Sequence, residues 1–235
     1  MDLPSSARDN ALLAALPEAA YCRPLPDLEA TTLRVGDVLF RQTGRPSFAY
    51  FPTRSTVSLL YAADTAGAMA TAWPVGREGM VGISLFLGVQ KLDNQADVQI
   101  GGTAFRLPAP ALLAEFRRAS ALQHLLLRYV FALITQASQL GVCNHYHSVE
   151  QRLCRFLLRA FAHVGGEQTD LTQGRIAELL GVRRVSITHA AMCLQSDGLI
   201  EYVRGRVTLL DRNKLAERSG VCAAIIGRAF AAVTA

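Results

Sequence analysis

Hydrophobic and polar positions change their period along the chain. From Leu28 to Leu107, short β-prone runs recur at Thr32 to Val35, Val38 to Arg41, Tyr50 to Phe51, Thr56 to Tyr61, Met69 to Trp73, Ala96 to Ile100 and Thr103 to Leu107. Gly36-Asp37, Gly44-Arg45-Pro46, Pro74, Gly76, Gly79, Gly82 and Gly101-Gly102 punctuate them. Because Gly and Pro supply the backbone angles and stops that turns need, the pattern predicts short strands in a sandwich, barrel or jelly roll. From Ala109 the period becomes helical, and between Ala119 and Val149 the only Lys, Arg, Asp or Glu is Arg128. Leu122, Leu126, Tyr129, Leu133, Gln136, Leu140 and Cys143 step by fours and threes, a heptad-like seam. Leu125, Val130, Phe131 and Ile134 fill further faces, so this helix is expected to be covered on more than one side. One side is expected to face its own β-rich domain, while the seam Leu122, Leu126, Tyr129, Leu133, Gln136 and Leu140 meets a second copy. A core helix of a monomer is the alternative.

A third pattern runs from Leu171 to Asp211. Thr172 is placed to cap a short helix with inward positions Ile176, Leu179 and Leu180, and Gly181 supplies the turn that ends it. A second helix then has Ile187, Ala190, Ala191 and Leu194 at i, i+3, i+4 and i+7, and Gly198 stops it. Two short helices around a glycine turn form a helix-turn-helix. Leu199 to Val203 and Arg206 to Leu210 alternate around Arg204-Gly205, as a basic hairpin or wing would. With the apolar stripe turned inward, Arg183, Arg184, Val185, Ser186, Thr188 and His189 face outward. They are the expected readers of base edges and phosphates, with Thr172, Gln173, Arg204 and Arg206 beside them.

Composition agrees with a folded protein. The 235 residues are 51% hydrophobic and 18% charged, which is too apolar for a mainly disordered chain. The formal charge of +5 is uneven: residues before Ser148 hold 12 basic and 11 acidic side chains, those after it 12 and 8. A modest basic excess on the C-terminal part suits a polyanion partner. No export signal is visible near Asp2, and the stretch from Ala121 to Cys143 is broken by Gln123, His124 and Arg128, short of the roughly 18 consecutive apolar residues of a membrane span. The expectation is a soluble cytoplasmic protein with no membrane partner.

In this order, the β-rich part, the long apolar helix and the winged segment resemble the Crp/Fnr family of bacterial transcription regulators. The likeness runs over roughly Leu16 to Leu215. It implies an α+β fold: an N-terminal cyclic-nucleotide-binding-type β-roll (a jelly roll), a long dimerisation helix and a C-terminal winged helix-turn-helix. The domains are then expected at 1–20 (an N-terminal helical segment), 21–118 (the β-roll), 119–147 (the dimerisation helix) and 148–235 (the DNA-binding domain). It also implies a homodimer on double-stranded DNA with a palindromic operator, recruiting or blocking RNA polymerase. The family's Arg-Glu-x-x-x-Arg reading pattern appears here as Arg184, Val185 and His189. Arg184 retains the fork that suits guanine; Val185 replaces a carboxylate and suits the thymine methyl.

Cyclic-nucleotide-binding members hold the sugar and phosphate with a Gly-Glu followed by an Arg-Ser or Arg-Thr pair. The corresponding stretch here reads Gly82-Ile83-Ser84-Leu85 and then Asn94-Gln95-Ala96, without that Glu or Arg. Gly82, Ile83, Ser84, Asn94, Gln95 and Ala96 are thus candidates for an effector pocket that does not take cyclic AMP, since a buried anion needs a cationic partner. Lys91, three residues before Asn94, is the nearest substitute, and the glycines of Gly76 to Gly82 are read as turn formers. An unknown small-molecule effector remains open.

Haem and iron-sulfur sensing are disfavoured: His124, His145, His147, His163 and His189 lie outside the β-rich stretch, and Cys22 is the only cysteine before the long helix. Cys143, His145 and His147 have ligand chemistry, but they sit where the chain bends away from the long helix; a packed hinge is preferred, and no metal or cofactor is expected. A jelly-roll metal enzyme would need histidines or clustered carboxylates facing the barrel, and Arg23 to Leu107 holds no histidine or cysteine, so catalysis is not expected. A winged helix that holds another protein instead of DNA is the remaining alternative.

Overall fold

The computed structural model describes residues 6–42, 44–62, 69–89 and 92–235, with the side chains of 69–73 outside that description. Two compact units emerge. One holds the residues up to Ile134 together with Ala229–Ala235, the other Thr135–Arg228.

The first unit begins with two single-turn helices, α1 (Ala11–Ala14) and α2 (Glu18–Tyr21). The strands β1 (Glu29–Leu33), β2 (Val38–Phe40), β3 (Phe48–Pro52), β4 (Thr56–Ala62) and β5 (Met69–Val75) follow. After the short helix α3 (Ser84–Leu87) come β6 (Asn94–Ile100), β7 (Gly102–Pro108) and α4 (Ala109–Arg117). Each predicted run is a strand, although β1 starts three residues early and leaves Val35 exposed at the Gly36 turn. The strands form two antiparallel sheets, β1-β7-β3 and β2-β6-β4-β5. Leu33, Tyr50 and Ala104 from the first meet Val57, Leu59, Ala96 and Val98 from the second, which is the apolar interior of a β-roll.

Asn10 holds the entry to this unit. It is fully buried, its Oδ1 accepts from the N–H groups of Leu12 and Leu13, and its Nδ2 donates to the carbonyls of Pro52 at 2.9 Å and Gly79 at 2.8 Å. Asn10→Ala removes a helix cap and orphans two carbonyls, so a loss of roughly 2–4 kcal/mol in urea unfolding is expected; a change under about 1 kcal/mol would contradict this role.

The 26-residue helix α5 (Ala121–Tyr146) corrects the expected seam. Leu122, Leu126, Tyr129 and Leu133 are buried in the chain's own core with Ala49, Phe51, Leu107 and Leu112. Gln136 is buried as well and Leu140 half-buried. The fit is specific: the Tyr129 hydroxyl donates to the Met80 carbonyl at 3.0 Å, and a Cβ on Gly79 would lie 2.3 Å from that hydroxyl. The apolar row left outside is Leu127, Phe131, Ile134, Val142 and Tyr146, with Phe131 69% exposed. Both rows have helical spacing, and spacing alone does not say which of two apolar rows a β-roll will cover. By length and mean hydropathy α5 is also apolar enough to cross a bilayer, but its inner row belongs to this core.

The second unit contains α6 (Val149–Val164), β8 (Gln168–Asp170), α7 (Gln173–Leu180), α8 (Arg184–Ser196), β9 (Ile200–Val203), β10 (Arg206–Leu209) and α9 (Arg212–Arg218). Ser148 and Gln151 close a capping box on α6, whose Leu153, Cys154, Leu157, Ala160 and Phe161 form its buried stripe. Burial pushes the Cys154 thiol up to about 12. The last helix, α10 (Val221–Thr234), starts in this unit, while Ala229–Ala235 groups with the first unit, where Val233 lies in the core. The division between the two units thus falls within α5, after Ile134.

Candidate DNA-binding interface

Helix α7 starts where Thr172 accepts from the Arg175 N–H at 3.2 Å and ends on Gly181, whose φ of +63° suits glycine. Ile176, Ala177 and Leu180 are its buried residues; Leu179, expected inside, is half-buried, and Ala177 takes the inward place. Helix α8 buries Ile187, Ala190, Ala191 and Leu194, as its spacing predicts. The opposite face is therefore turned out. Arg183, Arg184, Val185 and His189 are exposed, Val185 by 78%, and Ser186 and Thr188 are half-buried.

Arg183 sits at the N-cap of the 13-residue helix α8 and makes no side-chain cap hydrogen bond. Exposed helix N–H groups and the positive end of the dipole favour anions such as phosphates. Among the described residues no ion pair engages Arg183, Arg184 or Arg204. Thr188 and Gln173 behave differently. The Thr188 hydroxyl donates to Gln173 Oε1 at 2.7 Å, so these two tie α8 to α7.

The wing is a two-residue hairpin with Arg204 at φ +49° and Gly205 at φ +84°, angles that match the twist of paired strands. Sequence reasoning missed its third strand. Residues Gln168–Asp170 pair with β10, in the order β8-β10-β9, and are too short for a visible alternation. That strand changes the expected role of Arg206, whose Nε donates to Asp170 Oδ1 at 2.7 Å. The hydrogen bond holds the Asp170 carboxyl below its ordinary range and raises Arg206. The two wing arginines thus differ: Arg206 is already matched, whereas Arg204 stands at the tip. Arg204→Ala is expected to lower the slope of log affinity against log salt by about one, and Arg206→Ala by clearly less. Equal slopes for the two variants would refute the distinction.

Further contacts hold the wing and helices together. The Tyr202 hydroxyl donates to the Leu171 carbonyl, and burial raises its pKa. The Tyr202 N–H donates to Gln195 Oε1 at 2.8 Å. Arg218 donates to Glu150 and Asp197, each at 2.7 Å, and those bonds raise its own pKa. Arg152 donates to the Leu180 carbonyl. None of these partners was visible in local spacing.

The candidate effector residues fall in separate surroundings. Gly82 has φ +106°, Ser84 opens α3, and Ile83 packs with the core that includes Leu85 and Phe86. Ala96 belongs to the β-roll interior, Gln95 donates to Asp97 at 2.7 Å, and Asn94 donates to the Tyr61 hydroxyl at 3.4 Å. Among the described residues of this unit no Lys or Arg is buried; Lys91 lies outside them. At the end of α5, His145 is exposed and packs edge-on to Tyr146, while Cys143 and His147 meet the distant Cys222, which sequence proximity could not show.

Residues 151–218 match the Crp-like helix-turn-helix domain family. No curated protein matches the chain in sequence. Solved structures share the fold over most of its length. A CRP-family transcriptional regulator from Thermus thermophilus is 17% identical, with a TM-score of 0.63, covering 81% of this chain and 96% of its own. A proposed cAMP-binding regulatory protein from Silicibacter pomeroyi is 19% identical, with a TM-score of 0.64, covering 91% and 96%. The c-di-GMP-responsive global regulator CLP from Xanthomonas campestris is 16% identical, with a TM-score of 0.58, covering 83% and 100%. The winged unit is thus a Crp-like helix-turn-helix domain set in a Crp/Fnr-type α+β fold. Over the rest of the chain the likeness to these regulators is one of fold.

Proposed function

We propose that the protein is a homodimeric, sequence-specific DNA-binding transcription regulator, acting in the cytoplasm rather than as an enzyme. The observation that carries this is the sidedness of α8: its apolar stripe is buried, while Arg183, Arg184, Val185 and His189 stand exposed at its N-terminal turns. Arg184 suits a bidentate contact to guanine, Val185 the methyl of thymine, and His189 a phosphate or guanine. Arg183, Ser186 and Arg204 supply phosphate contacts, while Thr172, Gln173, Thr188 and Arg206 position the reading helix and wing.

The second copy is expected on the outer row of α5, Leu127, Phe131, Ile134, Val142 and Tyr146, because the inner row is already covered. A two-fold dimer then presents its reading helices to half-sites about 34 Å apart on a palindromic operator, from which RNA polymerase is recruited or blocked. An effector, if one binds the β-roll, is expected to be uncharged. The buried surroundings of Ala96 are apolar, and the structural neighbours include one protein named for cAMP and one for c-di-GMP, so the fold does not select a ligand.

Selection from random DNA tests the reading. A palindrome with a guanine and a neighbouring thymine in each half-site, bound with a steep salt dependence, is expected. Retention of no sequence at any salt concentration would overturn it in favour of a protein-binding module.

A further inference from the structure

Cys143, His147 and Cys222 converge inside the C-terminal unit. Their ligand atoms all lie within 4.8 Å of one another. The His147 N–H donates to the Cys143 carbonyl at 3.0 Å, so one helical turn sets these two side chains on the same face. Cys222, near the start of α10, closes the group; both thiols are fully buried. Cys143 Sγ is 3.3 Å from His147 Nδ1, and Cys222 Sγ is 4.0 Å from His147 Nε2.

Three surrounding features exceed what simple packing needs. Gln139 Nε2 donates to Cys222 Sγ at 3.0 Å, an amide N–H that uses the sulfur as an acceptor. Gly220, at φ +72°, leaves room for the imidazole: a Cβ there would stand 3.1 Å from His147 Cε1. Arg155, on α6, is buried beside Cys143; its Nε has no hydrogen-bond partner, and no carboxylate pairs with it among the described residues. A buried guanidinium without an anion is costly. Thiolates at Cys143 and Cys222 would be that anion.

We propose that Cys143, Cys222 and His147 form a three-coordinate site for a thiophilic monovalent d10 cation of the Cu(I) class. Thiolate ligands select soft ions. Binding makes two metal–sulfur bonds and one metal–nitrogen bond, releases the two thiol protons to solvent and changes no oxidation state. Two thiolates and one monovalent ion leave a charge of −1, which the Arg155 guanidinium offsets; a divalent ion would leave the site neutral and Arg155 without a counter-charge. Metal–sulfur bonds near about 2.3 Å and a metal–nitrogen bond near about 2.0 Å place ligand atoms roughly 3.5–4 Å apart, so closure requires only small movements. The bound ion would clamp the start of α10 to the end of α5.

The test uses the full-length reduced protein, titrated anaerobically with Cu(I) against a chromophoric chelator, and with Zn(II) in a parallel arm. One tightly held Cu(I) per chain is expected, with X-ray absorption showing two sulfurs and one nitrogen. Cys143→Ser and Cys222→Ser should each weaken binding at least a hundredfold and His147→Ala at least tenfold, while Cys193→Ser leaves it unchanged. Gly220→Ala keeps every ligand but crowds the imidazole, and should weaken binding too. If the serine variants do not fold, stoichiometry and absorption of the unsubstituted chain still decide. Absence of stoichiometric Cu(I), preference for Zn(II), or a Cys143–Cys222 disulfide in place of metal would each overturn the site. No readout depends on DNA, so the proposal can fail while the regulator reading stands.

Discussion

Phe131→Asp is expected to convert the proposed dimer to monomers. Phe131 is 69% exposed on the outer row of α5, beside Leu127 and Ile134, so the substitution leaves the protomer's own core untouched. In a two-fold interface every substitution acts twice. Losing the burial of two phenylalanine side chains forfeits about 3–6 kcal/mol, at about 1.5–3 kcal/mol for each, and the buried carboxylates add a desolvation cost. Sedimentation should show dimer affinity weakened at least a hundredfold, with thermal unfolding of the protomer nearly unchanged. Operator affinity should fall with it, because each half-site alone carries only part of the binding. Leu126→Ala is the informative contrast: Leu126 is fully buried in the protomer's core, so its truncation should cost roughly 2–5 kcal/mol of stability. A Phe131→Asp protein that remains dimeric at micromolar concentration would remove the outer row from the interface.

Arg184→Ala is expected to have the second large effect, and in a different observable. The side chain is exposed on the first turn of α8 and engages no ion pair among the described residues, so its removal should leave folding intact. A bidentate arginine–guanine contact contributes about 1–3 kcal/mol of discrimination, and a palindrome contains it twice. Affinity for the selected operator should fall by about 2–6 kcal/mol, roughly thirtyfold or more, while binding to unrelated DNA changes far less. Preference at one base pair of each half-site should relax. A uniform loss across all sequences would instead make Arg184 a phosphate contact. This outcome separates reading from anchoring, which Arg204 tests from the wing.

Much of this architecture is visible in local pattern. Glycine and proline positions separate the strands of the β-roll, because those residues set backbone angles without help from distant contacts. Thr172, Gly181 and Gly198 mark the ends of α7 and α8 for the same reason, and the stripe Ile187, Ala190, Ala191 and Leu194 orients the reading face. Other features depend on neighbours far along the chain. Asn10 looks like an ordinary helix cap until its amide meets Pro52 and Gly79. Arg206 looks like a second phosphate contact until β8 brings Asp170 against it.

Order along the chain thus determined the succession of β-roll, long helix and winged helix-turn-helix, together with the residues displayed by α8, since strand alternation, helical period and capping act within a few residues of one another. Tertiary structure alone decided which apolar row of α5 the β-roll covers, which wing arginine stays unneutralised, and that Cys222 rather than His145 joins Cys143 and His147. Those outcomes rest on shape and charge matched between segments far apart in sequence, as in the space Gly79 leaves for Tyr129, which no local periodicity encodes.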